Sequence, residues 1–362
     1  MRTAALDHPR TARRRDTPKL RLRTGLIIYG VAFTLIVSLP LVGLECFLRL
    51  PRKSTLFRME TGNLLVPSNI PGLGYRLARN HPTAPFQTDE IGFRRRPNTE
   101  IRPKWPVLLL GDSVAFGGGV RYQDTFASLV EEQLSRALRD QVAVYNAGTP
   151  GYNTVQEALL LKDIRKSVKS DLIILQFCMN DHLDAVTLTA DNTLDATTSA
   201  AGQVSLRSLI YRSRALFFLK EEIKNIQKMY PERFPVALHY IHHIQKHPGW
   251  QRAKNAIAEI ADTAKEMNSR LLLVIFPVEQ QLRIGDRTPQ EDLVAFARSR
   301  GIAVLDLYAT FARHCRENLF FDYSIEQHVV DKLHLSKRGH ELSASDIAAA
   351  ILRDQGLRSA FQ

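Results

Sequence analysis

From residue 106 to the end of the chain, short continuous apolar runs alternate with stretches of helical period. Pro106–Leu110 (PVLLL), Val142–Tyr145 (VAVY), Leu172–Phe177 (LIILQF), Arg270–Phe276 (RLLLVIF) and Ile302–Leu307 (IAVLDL) have the composition of buried strands. Phe126, Leu129, Val130, Leu134 and Leu138 share one helical face after the first strand, with Asp124 placed to cap that helix. Thr154–Val168 predicts a second helix, helical stretches precede the fourth and fifth strands, and Ser336–Leu357 predicts a closing helix. Unalternating strands separated by helices predict a parallel sheet covered on both faces. Right-handed crossovers then make a three-layer α/β/α sandwich. The interval between the third and fourth strands is longer than one crossover helix needs. In it Leu206, Leu209, Ile210, Leu216, Phe217, Ile223 and Ile226 outline an amphipathic helix. Residues 206–250 are therefore expected to form a helical insertion, packed on its own domain or capping a site.

A different pattern opens the chain. Thr24–Leu44 is 21 residues without a charge, long enough to cross about 30 Å of hydrocarbon as a helix. Arg13, Arg14, Arg15, Lys19, Arg21 and Arg23 precede it, so the positive-inside rule keeps residues 1–23 in the cytoplasm. No small-x-small cleavage site follows, Glu45 spoils a lipoprotein reading of Cys46, and Asp16-Thr17 spoil a twin-arginine one. The expectation is an uncleaved single-pass anchor over 24–50 in the inner membrane, with the rest of the chain facing the periplasm. Residues 51–104 form a Pro- and Arg-rich extension with short strands or docked loops at Gly74-Tyr75-Arg76-Leu77 and Gly92-Phe93-Arg94. The main domain is expected over 105–362.

The 362 residues, 44% of them hydrophobic, allow a large core. Lys and Arg number 49 against 37 Asp and Glu, a net charge of +12. Residues 1–23 hold 8 basic and 2 acidic residues and 51–105 hold 10 and 4, so with Arg49 and Glu45 set aside 30 of each sign remain in 106–362. A neutral main domain argues against a nucleic-acid partner. Three cysteines without a CxxC pair exclude a disulfide framework or a zinc ribbon. Cys178 and Cys315 are expected to be small buried apolar residues, or one bridge outside the cytoplasm. His239, His242, His243 and His247 stand at helical spacings, but without His-Glu-x-x-His or a thiolate they suggest a solvated helix face rather than a metal site. Gly117-Gly118-Gly119 lacks the rest of a phosphate loop. No cofactor or metal is expected.

Active groups of open parallel sheets lie beyond the carboxyl ends of the strands. Gly111-Asp112-Ser113 follows the first strand, where a serine can expose its hydroxyl while its amide faces the cleft; a turn capping the next helix is the plainer explanation. Asn146-Ala147-Gly148-Thr149-Pro150-Gly151-Tyr152-Asn153 follows the second, and a backbone N–H there could meet a ligand oxygen, though a β-turn explains it nearly as well. Asn180-Asp181 follows the third and offers a side-chain amide. Before the last helix, Asp331 and His334 stand three residues apart, so that a carboxylate could hold one ring nitrogen while the other faces a nucleophile.

These four motifs, in this order, resemble the SGNH (GDSL) hydrolase superfamily over about 250 residues, from the first strand to the end of the chain. The resemblance implies a five-stranded, mostly parallel, flavodoxin-like sheet. It implies Ser113 as nucleophile, His334 as base and Asp331 as its orienting carboxylate. It also implies an oxyanion hole of the Ser113 N–H, the Gly151 N–H and the Asn180 side chain, with Gly148 competing for the second place. One departure is Cys178, where the family usually has glycine; a cysteine held at positive φ would be strained. The activity implied is ester hydrolysis through an acyl-serine, on an acylated small molecule or cell-surface polysaccharide. O-acyl transfer by the same residues, and glycan binding or scaffolding by a degenerate hydrolase fold, are the alternatives.

Overall fold

The computed structural model describes residues 18–49, 64–82, 86–94, 104–188, 194–195, 244–320 and 333–362, with isolated positions between 213 and 226. The chain divides into two units, one of Met1–Lys53 with Val204–Glu221 and one of Ser54–Gln203 with Glu222–Gln362.

In the smaller unit, α1 runs from Pro18 to Arg49 with Pro40 inside it. Of its described apolar side chains, Tyr29, Phe33, Ile36, Leu39 and Val42 are exposed. Glu45 accepts hydrogen bonds from the Ser213 hydroxyl and the Ala215 amide, both at 2.8 Å. Among the described residues no helix is long and apolar enough to cross a membrane; on α1 the described side chains are those of residue 29 and residues 31–46.

The larger unit begins with the antiparallel pair β1 (Leu65–Pro67) and β2 (Tyr75–Leu77). Its central sheet consists of β3 (Trp105–Leu110), β4 (Val142–Asn146), β5 (Leu172–Phe177), β8 (Arg270–Ile275) and β9 (Ala303–Asp306). The short pair β6 (Thr187–Leu188) and β7 (Leu194–Asp195) lies between β5 and β8 in sequence. The sheet order is β4-β3-β5-β8-β9, and every pairing is parallel. The run of Val, Leu and Ile in β3 and β5 is buried throughout, as strands covered on both faces require.

Among the described residues the α-helices of this unit are α2 (Ser113–Phe116), α3 (Phe126–Leu138), α4 (Thr154–Ile164), α5 (Pro248–Glu266), α6 (Glu279–Ile284), α7 (Thr288–Ser299), α8 (Tyr308–Arg313), α9 (Lys337–Arg353) and α10 (Gln355–Arg358). α3 packs on α9 and α4 on α5. Chain order reverses between β3 and β5, which puts the carboxyl ends of those strands at the topological switch point.

Three expectations need correction. Asp124 does not cap α3: Thr125 does, accepting from Ser128 N, while Asp124 pairs with Arg121 and Lys337. Cys315 is exposed, and all three cysteines are free. His247 is not on a solvated helix face but caps α5 through its ring, accepting from Gly249 N; His239, His242 and His243 lie outside the described residues. So does most of the 206–250 segment.

Candidate active site

Ser113 opens α2 directly after β3, so its amide is one of the helix-start N–H groups that has no intrahelical acceptor. Asp112 caps the same turn, its Oδ1 accepting from Val114 N at 2.8 Å. The neighbouring strand holds the turn from below: Gln176 Oε1 accepts from Asp112 N and Ala115 N, each at 3.1 Å. A Cβ on Gly111 would stand 2.3 Å from that oxygen and 2.7 Å from Ala115 Cβ, so this approach requires glycine.

The second loop crosses close to α2. A Cβ on Gly148 would lie 2.6 Å from Phe116 N, and the Gly148 N–H is taken by Asn146 Oδ1 at 2.9 Å. Asn146 Nδ2 in turn donates to Ala115 O at 2.8 Å, binding the loop to the serine turn. Gly151 has φ of 79°, which favours glycine, and its N–H has no partner among the described residues. Two tyrosines brace this loop: Tyr75 Oη donates to Pro150 O at 2.7 Å, and Tyr152 Oη donates to Tyr75 O.

In the third loop, Asn180 Nδ2 donates to Asp112 Oδ2 at 3.0 Å, and Asp181 Oδ2 accepts from Cys178 N at 2.6 Å. Cys178 is buried and does not have positive φ, so the residue that replaces the family's glycine is not strained. Asp112, Glu157 and Asp181 are all buried close to one another. Burial, then mutual repulsion, pushes the Glu157 and Asp181 carboxyls well up, and burial raises Asp112 despite the N–H groups of Asn180 and Val114.

His334 arrives just before α9, and its Nε2 lies 2.7 Å from Ser113 Oγ, across 221 positions of sequence. Two other histidines of this unit are poor bases. Burial lowers His340 to about 3 and His182 to about 4, so both are neutral at pH 7. His340 Nδ1 is occupied as the acceptor of Phe126 N. Asp331 lies outside the described residues. A cavity of about 380 Å³ lies between the chain after α2 and the start of α9, lined by Arg121, Asp124, Asn318, Ser336 and Lys337 with Gly119 and Val120.

The family model of the GDSL-like lipase/acylhydrolases matches residues 109–342, more than half of the chain and all of the loops just described. The chain belongs to the GDSL-like lipase/acylhydrolase family. It is accordingly a carboxylic ester hydrolase. No curated protein matches it. Solved structures similar to this GDSL-like chain include a G-D-S-L lipolytic protein from Veillonella parvula DSM 2008, at 15% identity and TM-score 0.41, over 69% of this chain and 100% of the other. The esterase EstA from Pseudoalteromonas sp. is similar at 11% identity and TM-score 0.41, over 68% and 97%. A point mutant of Axe2, an acetyl-xylooligosaccharide esterase from Geobacillus Stearmophilus, is similar at 15% identity and TM-score 0.41, over 71% and 98%.

Four of the five residues singled out in this GDSL-like sequence, Ser113, Gly151, Asn180 and His334, are described, and the first and last are in direct contact. Sequence reasoning missed Gln176 and Asn146. Gln176 had a signal: it is the one polar side chain in the run LIILQF. Asn146 had none beyond its place at a strand end.

Proposed function

We propose that the chain hydrolyses esters through an acyl-enzyme on Ser113, with His334 as general base and Asp331 as the carboxylate that orients it. The observation that carries this is the 2.7 Å approach of His334 Nε2 to Ser113 Oγ. His334 takes the hydroxyl proton as Ser113 Oγ attacks the ester carbonyl. The tetrahedral oxyanion is met by the N–H groups of Ser113 and Gly151 and by Asn180. Of the two N–H bonds on Asn180 Nδ2, one is spent on Asp112, which leaves the second for the substrate. Gly148 is the weaker candidate because its N–H already has an acceptor. Collapse expels the alcohol, which takes the proton from His334. Water, activated by the same imidazole, then releases the acid and restores the serine.

The alcohol is proposed to be a carbohydrate of the cell surface. The layout of the chain supports this: a basic tail, an uncharged stretch and the Gly-Tyr-Arg and Gly-Phe-Arg segments precede the hydrolase domain, as in similar bacterial hydrolases of acylated cell-surface polysaccharide. The anchor at 24–50 in the inner membrane, with the hydrolase domain in the periplasm, is part of the same proposal; the uncharged stretch and the exposed apolar side chains of α1 support it. The test is release of acetate from p-nitrophenyl acetate and from an acetylated polysaccharide, each with and without free acceptor sugar. Free acetate in both conditions supports hydrolysis, acetylated acceptor sugar favours O-acyl transfer, and glycan binding without turnover favours a binding protein.

A further inference from the structure

The Gly92-Phe93-Arg94 segment lies ahead of the residues matched by the family model, yet its arginine is built into the serine turn. Arg94 is 2% exposed and has no carboxylate within ion-pair distance among the described residues. Its guanidinium instead donates to the carbonyls of Phe116, of Gly117 at 2.7 Å and of Val120 at 2.9 Å. These oxygens lie at and just beyond the C-terminal end of the one-turn helix that Ser113 begins. The same group stacks on the Phe116 ring, 4.9 Å from its centroid, and lies 5.3 Å from that of Phe86. Its main chain donates to Asn146 O at 2.9 Å, and Asn146 is the residue whose side chain joins Ala115 to Gly148. Asp89 sets the loop that delivers Arg94, accepting from the amides of Ile91, Gly92 and Phe93.

A helix of four residues cannot hold its own shape, because nucleation costs more than one hydrogen bond returns. A buried charge with only carbonyl acceptors is also expensive. Here the two answer each other in part: through Nη1 and Nη2 the cation takes up the remaining acceptor capacity of the carbonyls at and after the helix end, where positive charge is favoured, Gly117 O also accepting from Val120 N at 3.2 Å. Gly117 completes the fit, since a Cβ there would come within 3.1 Å of Arg94 Nη1.

We propose that Arg94 is a positioning residue for the ester hydrolysis, fixing the Ser113 turn and the glycine loop in one register from outside the family domain. This rests on the assignment of Ser113 as nucleophile. A lysine in its place could reach one carbonyl as a point charge but could not span three, so Arg94→Lys is not a conservative change here.

The test uses the purified full-length chain, p-nitrophenyl acetate and a fluorophosphonate probe. Arg94→Lys is expected to lower kcat by about 10-fold and Arg94→Ala by about 100-fold, with KM within about twofold and the rate of Ser113 phosphonylation falling in parallel. Methylguanidinium should restore part of the rate to Arg94→Ala and none to Arg94→Lys, which a general loss of stability would not produce. If Arg94→Ala does not fold, the kcat of Arg94→Lys decides alone. A folded Arg94→Lys with kcat and phosphonylation rate within twofold of wild type overturns the proposal while Ser113 stands. Failure of the wild-type chain itself to label at Ser113 overturns the underlying assignment instead.

Discussion

Ser113 owes its position to residues that are not themselves reactive. Asp112 caps its turn, Gln176 holds two of the turn's amides, and Asn146 ties it to the glycine loop. Ser113→Ala should therefore leave the fold intact and reduce ester hydrolysis by about 10⁴-fold or more, as steady-state kinetics would record. Asn180→Ala should lower kcat by about 10²–10³-fold, with a modest fall in thermal midpoint from its lost bond to buried Asp112, if its amide meets the oxyanion; an effect on KM alone would exclude that role. Glu157 makes a different prediction. Both of its buried carboxylate oxygens lack a hydrogen-bond partner among the described residues, and burial raises its pKa well above 4.5. Below that ordinary value both folded and unfolded states are protonated; above it the unfolded chain ionises first, and stability is lost as pH climbs toward the folded pKa. Glu157→Gln should thus gain thermal stability over wild type at pH 7, with the gain shrinking toward pH 4. An equal loss at every pH would contradict this account of the carboxyl. Ser113 and His334 were legible in the sequence because each sits in a short motif at a predictable strand or helix end. The partners of the serine turn were not, because Gln176 and Asn146 reach it only once β3, β4 and β5 lie side by side.

At the scale of elements, the strands were the most legible part of the chain, since unbroken apolar runs leave little choice but burial on both faces. Helix starts were less so. Asp124 was the expected cap of α3, but the role falls to its neighbour Thr125, while Asp124 is drawn to Lys337 at 2.9 Å, a contact that only the folded chain creates. The cap of α4 does double duty: Asn153 forms a reciprocal capping box with Gln156, while its Nδ2 donates to Leu183 O at 2.9 Å. The start of α4 and the Asn180 loop are in this way one structural unit. Asn153→Ala should cost about 1–2 kcal/mol of stability by denaturant titration. It should also lower kcat through the loosened Asn180 loop, whereas a stability loss with full activity would show the two to be independent.

For the whole molecule, placing the charges mattered more than counting them. The excess of positive charge lies in residues 1–23 and 51–105, and the sheet-bearing domain is balanced. The proposed topology puts the first basic flank in the cytoplasm and the hydrolase domain across the membrane. A phosphatase fused after Gln362 should be active in cells and a cytoplasmic reporter at the same point silent; the reverse pattern would remove the anchor from the account. The carbohydrate reading was the least legible feature, because the layout of the chain suggests a surface ester without naming its alcohol.

The claim on which the rest depends is that Ser113 is an activated nucleophile. Its most direct test is to treat the folded full-length chain with a fluorophosphonate and locate the adduct by mass spectrometry. The account predicts one adduct, on Ser113, lost in both Ser113→Ala and His334→Ala. A folded chain that stays unlabelled, or that labels Ser113 equally well without His334, would contradict it.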